Sequence, residues 1–222
     1  MISAIFGGVS AAATPALAAE NANAPLSDAQ IILAIQDLTG SEAAALAATK
    51  AMLAGEVSQH EPFSYYVQDY ANVAALGHGL YASNRLLDLD WAAGLDEAVD
   101  QFDFILGTSD ILWPAGLEDD LDQLVQAGGI ARGDAVGEVY IRVWPQVRDA
   151  GYQIMSLNTD SDAHMMFIAP EAAALRWQSV QIGPNMYFEI ADWQFGTQMQ
   201  AAGHSIEFPG HPATHPQKAP KP

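Results

Sequence analysis

Cysteine is absent from the 222-residue chain. That excludes a disulfide framework, a thiolate metal site and a cysteine nucleophile, and it is compatible with a reducing compartment. Basic residues are nearly as scarce. Lys and Arg number 8 against 27 Asp and Glu, a formal net charge of -19. A field of that sign repels nucleic-acid phosphates and anionic lipid headgroups, so neither is expected as a partner. It suits a basic protein partner or divalent cations, and it also serves solubility alone. Long apolar runs are missing too. None reaches the ~18 residues a membrane helix needs, so no membrane insertion is expected. The chain has no GxxxxGK[ST] phosphate cradle, no GxGxxG after a strand and no GxSxG elbow.

What is present describes a folded chain. Half the residues are apolar and 16% are charged, the reverse of a disordered composition. The length suits one domain with a sizeable core. Residues 1–25 read as a low-complexity leader. Ala16-Leu17-Ala18 has the small-x-small form cut by signal peptidase, but no Lys or Arg precedes it and the apolar part is rich in Ala and Gly. A cytoplasmic protein is therefore the expectation. An exported one with residues 1–18 removed is the alternative. Residues 196–222 hold the Pro- and His-containing stretch from Gly203 to Pro222 and read as a flexible tail. A single domain over 26–195 lies between.

Within that domain the elements change character along the chain. Ser27 and Gln30 have capping-box spacing, followed by Ile31, Ile35 and Leu38 at helical period and by Gly40 as a stop. Ser41 is placed to cap a second helix ending before Gly55, which predicts a helical hairpin over 26–60. The 61–150 part reads as helical. Gly77 and Gly79 are expected to loosen the end of one helix, Leu86 to Leu106 forms an amphipathic stretch, and Pro145 predicts a kink in the helix from Asp134 to Ala150. From 151 to 195 the pattern is β-hairpin, helix, strand. Asn158 to Asp162 supplies turn chemistry and Pro170 opens the helix. The expected class is α+β, with N-terminal helices followed by a helix-flanked small, mostly antiparallel sheet.

Two constellations carry candidate chemistry. Asp160, Asp162 and His164 alternate, so an extended backbone puts all three on one side, where two carboxylates and an imidazole suit a divalent metal. Asp is also the commonest turn residue, which is the plain alternative. The echo of an EF-hand fails, because Ala163 stands where Gly is needed and Ala169 where the bidentate Glu belongs. The second constellation is acidic. Asp96, Asp100 and Asp103 recur on one helical face, Glu118, Asp119 and Asp120 follow, and no Lys or Arg lies between Arg85 and Arg132. Such rows repel internally and are either solvated or answered by a cation or a basic patch. His60-Glu61 lacks the second histidine of a zinc-peptidase motif.

The block Leu87-Asp88-Leu89-Asp90-Trp91 with the helix after it, and the block from Ala150-Gly151-Tyr152 through Asn158-Thr159-Asp160-Ser161-Asp162-Ala163-His164 to Phe167-Ile168-Ala169-Pro170, carry a resemblance. Together they resemble the bacterial family named domain of unknown function 6630, over about residues 86–192. His164 departs from that pattern, where Tyr is expected. The resemblance implies a bacterial protein with a mixed α/β domain and brings no activity or cofactor. The functional expectation is thus a non-enzymatic acidic module for a basic protein, with Asp96, Asp100, Asp103, Glu118, Asp119 and Asp120 in contact. The alternative is a divalent-metal-assisted hydrolase built on Asp160, Asp162 and His164.

Overall fold

A computed structural model describes residues 26–58, 62–66, 70–159, 163–191 and 203. The first helix, α1 (Asp28–Thr39), starts as its sequence dictates. The Ser27 hydroxyl accepts from the Gln30 N–H, and the Gln30 side chain accepts from the Ser27 N–H at 2.9 Å. Gly40 closes the helix at φ 68, a left-handed conformation that lacks a steric penalty only for glycine. The next helix, α2 (Ala43–Leu53), is entered differently from the expectation. Its N-cap is Glu42 without a side-chain cap, and Ser41 sits at φ 65. A 3-10 turn at Ser64–Tyr66 leads to α3 (Ala71–Ala82).

Gly77 and Gly79 do not loosen α3; they let it pack. A Cβ at Gly77 would stand 2.5 Å from the Phe63 ring, and one at Gly79 would overlap Thr49 Oγ1 on α2. Small residues there permit the close approach of α3 to α2 and to the preceding turn.

The stretch from Leu86 to Leu106 is two elements rather than one. Strand β1 (Leu86–Asp90) comes first and helix α4 (Leu95–Gly107) follows. So the 61–150 part, read as helical, contains an edge strand. The Leu-Leu-Asp-Leu-Asp run alternates like a strand and becomes one because it finds a partner far along the chain. Helices α5 (Leu117–Gln126) and α6 (Ala135–Asp149) complete this part, and α6 continues through Pro145. Then come β2 (Tyr152–Asn158), β3 (Ala163–Pro170), the short helix α7 (Glu171–Trp177), β4 (Gln181–Gly183) and β5 (Met186–Ile190).

The five strands form one antiparallel sheet in the order β1-β3-β2-β5-β4. The class is therefore α+β, with most helices preceding the sheet. Two apolar layers cover it. Met155, Leu157, Phe167 and Phe188 face α1, α3 and α7, while Leu87, Leu89, Ile154, Met166 and Ile168 face α4 and α6. The alternation along each strand sends successive side chains to opposite layers. Helix α5 adds Leu117 and Leu121 to the second layer. Among the described residues, no helix is long and apolar enough to cross a membrane.

Candidate functional site

The acidic surface belongs to the second layer. On α4, Phe102, Ile105 and Leu106 are buried, and Asp96, Asp100 and Asp103 are exposed on the other side. On α5, Leu117 and Leu121 are buried, while Glu118, Asp119, Asp120 and Asp122 are exposed. Part of this charge has a local reason. Asp96 and Glu97, and likewise Glu118, Asp119 and Asp120, sit in first helical turns, where carboxylates answer the positive end of the helix dipole. Asp100, Asp103 and Asp122 have no such role.

The described arginines are engaged elsewhere. Arg85 pairs with Glu42 at 3.4 Å, Arg142 with Glu138 at 2.6 Å and Arg176 with Asp37 at 2.6 Å. Arg132 lies over the Trp91 ring at 5.2 Å. Among the described residues, no ion pair reaches the carboxylates of α4 or α5. Apolar side chains are exposed along the same stretch of chain: Phe104 on α4 is 50% exposed, Leu112 in the following loop 80% and Val125 on α5 49%.

A second polar feature lies on the sheet. Asp160 and Asp162 fall outside the described residues. His164 is described, on β3 opposite Leu89, and therefore on the α4/α6 side of the sheet. On that same face Ser156 pairs with Glu189 across β2 and β5, and both are buried. The Asn158 amide donates to Glu189 Oε2 at 3.1 Å. A carboxylate buried within a sheet face is expensive unless hydrogen-bonded, and Asn158 supplies such a bond. Sequence reasoning missed Glu189, because in Met-Tyr-Phe-Glu-Ile it alternates like a solvent-facing residue. Among the described residues, no three His, Asp or Glu side chains gather as a metal site.

The family described as "Domain of unknown function (DUF6630)" matches residues 16–189. The chain belongs to the DUF6630 family. The match begins well before the expected limit near residue 86, so α1, α2 and α3 are part of what defines the DUF6630 domain here. That agrees with the packing, since α1 and α3, backed by α2, cover one face of the sheet together with α7. No curated protein and no solved structure matches the chain.

Burial raises the Asp88 carboxyl above its usual 3.8. Asp88 sits on the edge strand β1 opposite Met165, with solvent on one side and the first apolar layer on the other. The fold thus prefers the protonated acid. That contribution to stability is complete below pH ~3.8 and is lost as pH rises through the raised value. Asp88→Asn cannot ionise, so it should melt above the parent at neutral pH and coincide with it near pH 3. Both side chains reach solvent, and Asp100→Asn, which removes the same charge from the outer side of α4, serves as the comparison. Equal melting temperatures for parent and Asp88→Asn at neutral pH would sink the argument.

Proposed function

We propose that this chain is a non-enzymatic binding module whose α4–α5 surface receives a basic segment of another protein. The reading is supported by one observation: along α4, the loop after it and α5, exposed carboxylates that make no ion pair among the described residues are interspersed in sequence with exposed Phe104, Leu112 and Val125. Acid alone serves solubility. Acid interleaved with uncovered apolar side chains matches a partner that carries Lys or Arg beside apolar residues. The sign of the field speeds encounter with such a segment and rejects anionic ones.

The test uses a synthetic peptide alternating lysine and leucine, titrated against the full chain at several salt concentrations. The triple variant Asp96→Asn, Asp100→Asn, Asp103→Asn should bind about tenfold more weakly, with a flatter salt dependence. The control triple Asp28→Asn, Glu56→Gln, Glu171→Gln removes as much charge from exposed sites on α1, after α2 and on α7. It should stay within about twofold of the parent, because screened charges on the opposite layer contribute little. Equal weakening by both triples would mean that net charge alone acts, and that α4 is not a recognition face.

A further inference from the structure

The loop joining α4 to α5, residues 108–116, buries Ile111 in the second layer but also holds polar groups that the fold leaves unanswered. Two of its side-chain polar atoms are buried without a hydrogen-bond partner, the Ser109 hydroxyl and the Trp113 indole Nε1. Ser109 is only 8% exposed, while Leu112 between them is 80% exposed. Packing favours the opposite arrangement, apolar inside and polar outside, and each buried unpaired group costs stability. The backbone of the loop is nevertheless anchored. The Ile111 N–H donates to the Leu106 carbonyl at 3.0 Å, and the Gln146 side-chain amide donates to the Leu112 carbonyl. Asp110 holds φ 55, a left-handed conformation that Asp tolerates better than most residues. The loop is therefore held in place, and the Thr108 hydroxyl donates to the Ile105 carbonyl at 2.8 Å, while Ser109 Oγ and Trp113 Nε1 are left without partners.

We infer that this loop reads the main chain of the bound segment: an extended, basic peptide stretch of a partner protein lies across it, covers Leu112, and supplies the missing partners for Trp113 Nε1 and Ser109 Oγ. The inference rests on the reading of the α4–α5 surface given above and adds where and how the partner is recognised. The chemistry is specific. An indole N–H donates and never accepts, so it needs a carbonyl, and a serine hydroxyl can serve either group of a peptide bond. A peptide backbone offers both groups at every residue. The carboxylates flanking the loop, Asp103 before it and Glu118 and Asp119 after it, select a cationic stretch by charge complementarity. Both polar atoms are closed to solvent in the free loop, so engagement requires a local shift of residues 108–116. That shift is driven in part by relief of the two unpaired groups.

The same lysine–leucine peptide tests this on the full chain, with melting temperature measured beside affinity. Ser109→Ala deletes the hydroxyl with almost no change of shape. Trp113 replaced by 3-benzothienylalanine keeps the bicyclic ring and drops the N–H. Leu112→Ser removes only an exposed side chain. All three should melt at or above the parent temperature, because none removes a bond present in the free protein, and each should bind the peptide about fivefold more weakly. Two results overturn the inference. One is affinity within twofold of the parent for all three variants; the other is a lower melting temperature for Ser109→Ala and the benzothienyl variant, which would mean the groups are already partnered. If the loop variants weaken binding while the α4 triple does not, the loop stands and the α4 face falls. If the parent chain does not bind the peptide at all, both readings fail together.

Discussion

Trp177→Ala is expected to destabilise the protein by about 4 kcal/mol. The indole is fully buried, and its ring lies 6.2 Å from Phe188 at 72°, an edge-to-face contact within the first layer. Its Nε1 donates to Asp37 Oδ2 on α1 at 2.9 Å, and Arg176 donates to the same oxygen at 2.6 Å. One side chain thus ties α7 to α1 and both to the sheet. Truncation leaves a cavity that a seven-residue helix anchored by this residue can only partly close. Domains have a total stability of about 5–15 kcal/mol, so the loss is a large fraction of what holds the fold. Urea unfolding measures it as a shift in midpoint at constant slope. Trp177→Phe separates the two contributions. It keeps most of the ring and loses the hydrogen bond, and Asp37 retains Arg176, so it should cost clearly less than the alanine variant. A Trp177→Ala midpoint close to the parent would mean that α7 is not docked on α1.

Gly79→Ala should cost about 2 kcal/mol, although alanine is the better helix former. Glycine normally weakens a helix interior by about 1 kcal/mol, so a substitution that ignored tertiary contacts would be stabilising. Contacts decide the sign here. The added methyl overlaps Thr49 Oγ1 and lies 3.1 Å from Ile35 Cδ1 and 3.3 Å from the Ala45 carbonyl oxygen. Thr49 cannot simply swing away: it is fully buried and its hydroxyl donates to the Ala45 carbonyl at 2.8 Å. The overlap can be removed genetically. In a Thr49→Ala background the cost of Gly79→Ala should fall toward zero, and the double-mutant cycle should give a coupling above about 1 kcal/mol. Additive effects would show that α2 and α3 are not packed this closely.

The two experiments probe different sources of order. Trp177 tests a layer that the apolar pattern of the strands requires. Gly79 tests a contact between helices that no pattern within α3 announces. The buried Glu189 belongs to the second kind. Its neighbours in sequence, Tyr187 and Phe188, read as ordinary strand residues, and only pairing of β5 with β2 brings Asn158 within hydrogen-bonding reach. The loop at 108–116 is similar. The unpaired state of Ser109 and Trp113 depends on what the rest of the fold places around them.

Features that depend on neighbours within a few residues are legible in the chain. The Ser27–Gln30 capping box, the Gly40 stop, the buried and acidic sides of α4 and the antiparallel pairing of β2 with β3 follow from local spacing and backbone chemistry. The tertiary structure alone decided whatever depends on residues brought together from afar. Leu86 to Asp90 is a strand because β3 lies beside it, pairing Leu86 with Phe167 across the fold. Gly77 and Gly79 are packing residues because Phe63 and Thr49 arrive against them. The acidic surface was legible as charge. Whether those carboxylates found cations, and which apolar side chains stayed uncovered among them, was not legible, because both depend on where α4 and α5 come to rest on the sheet.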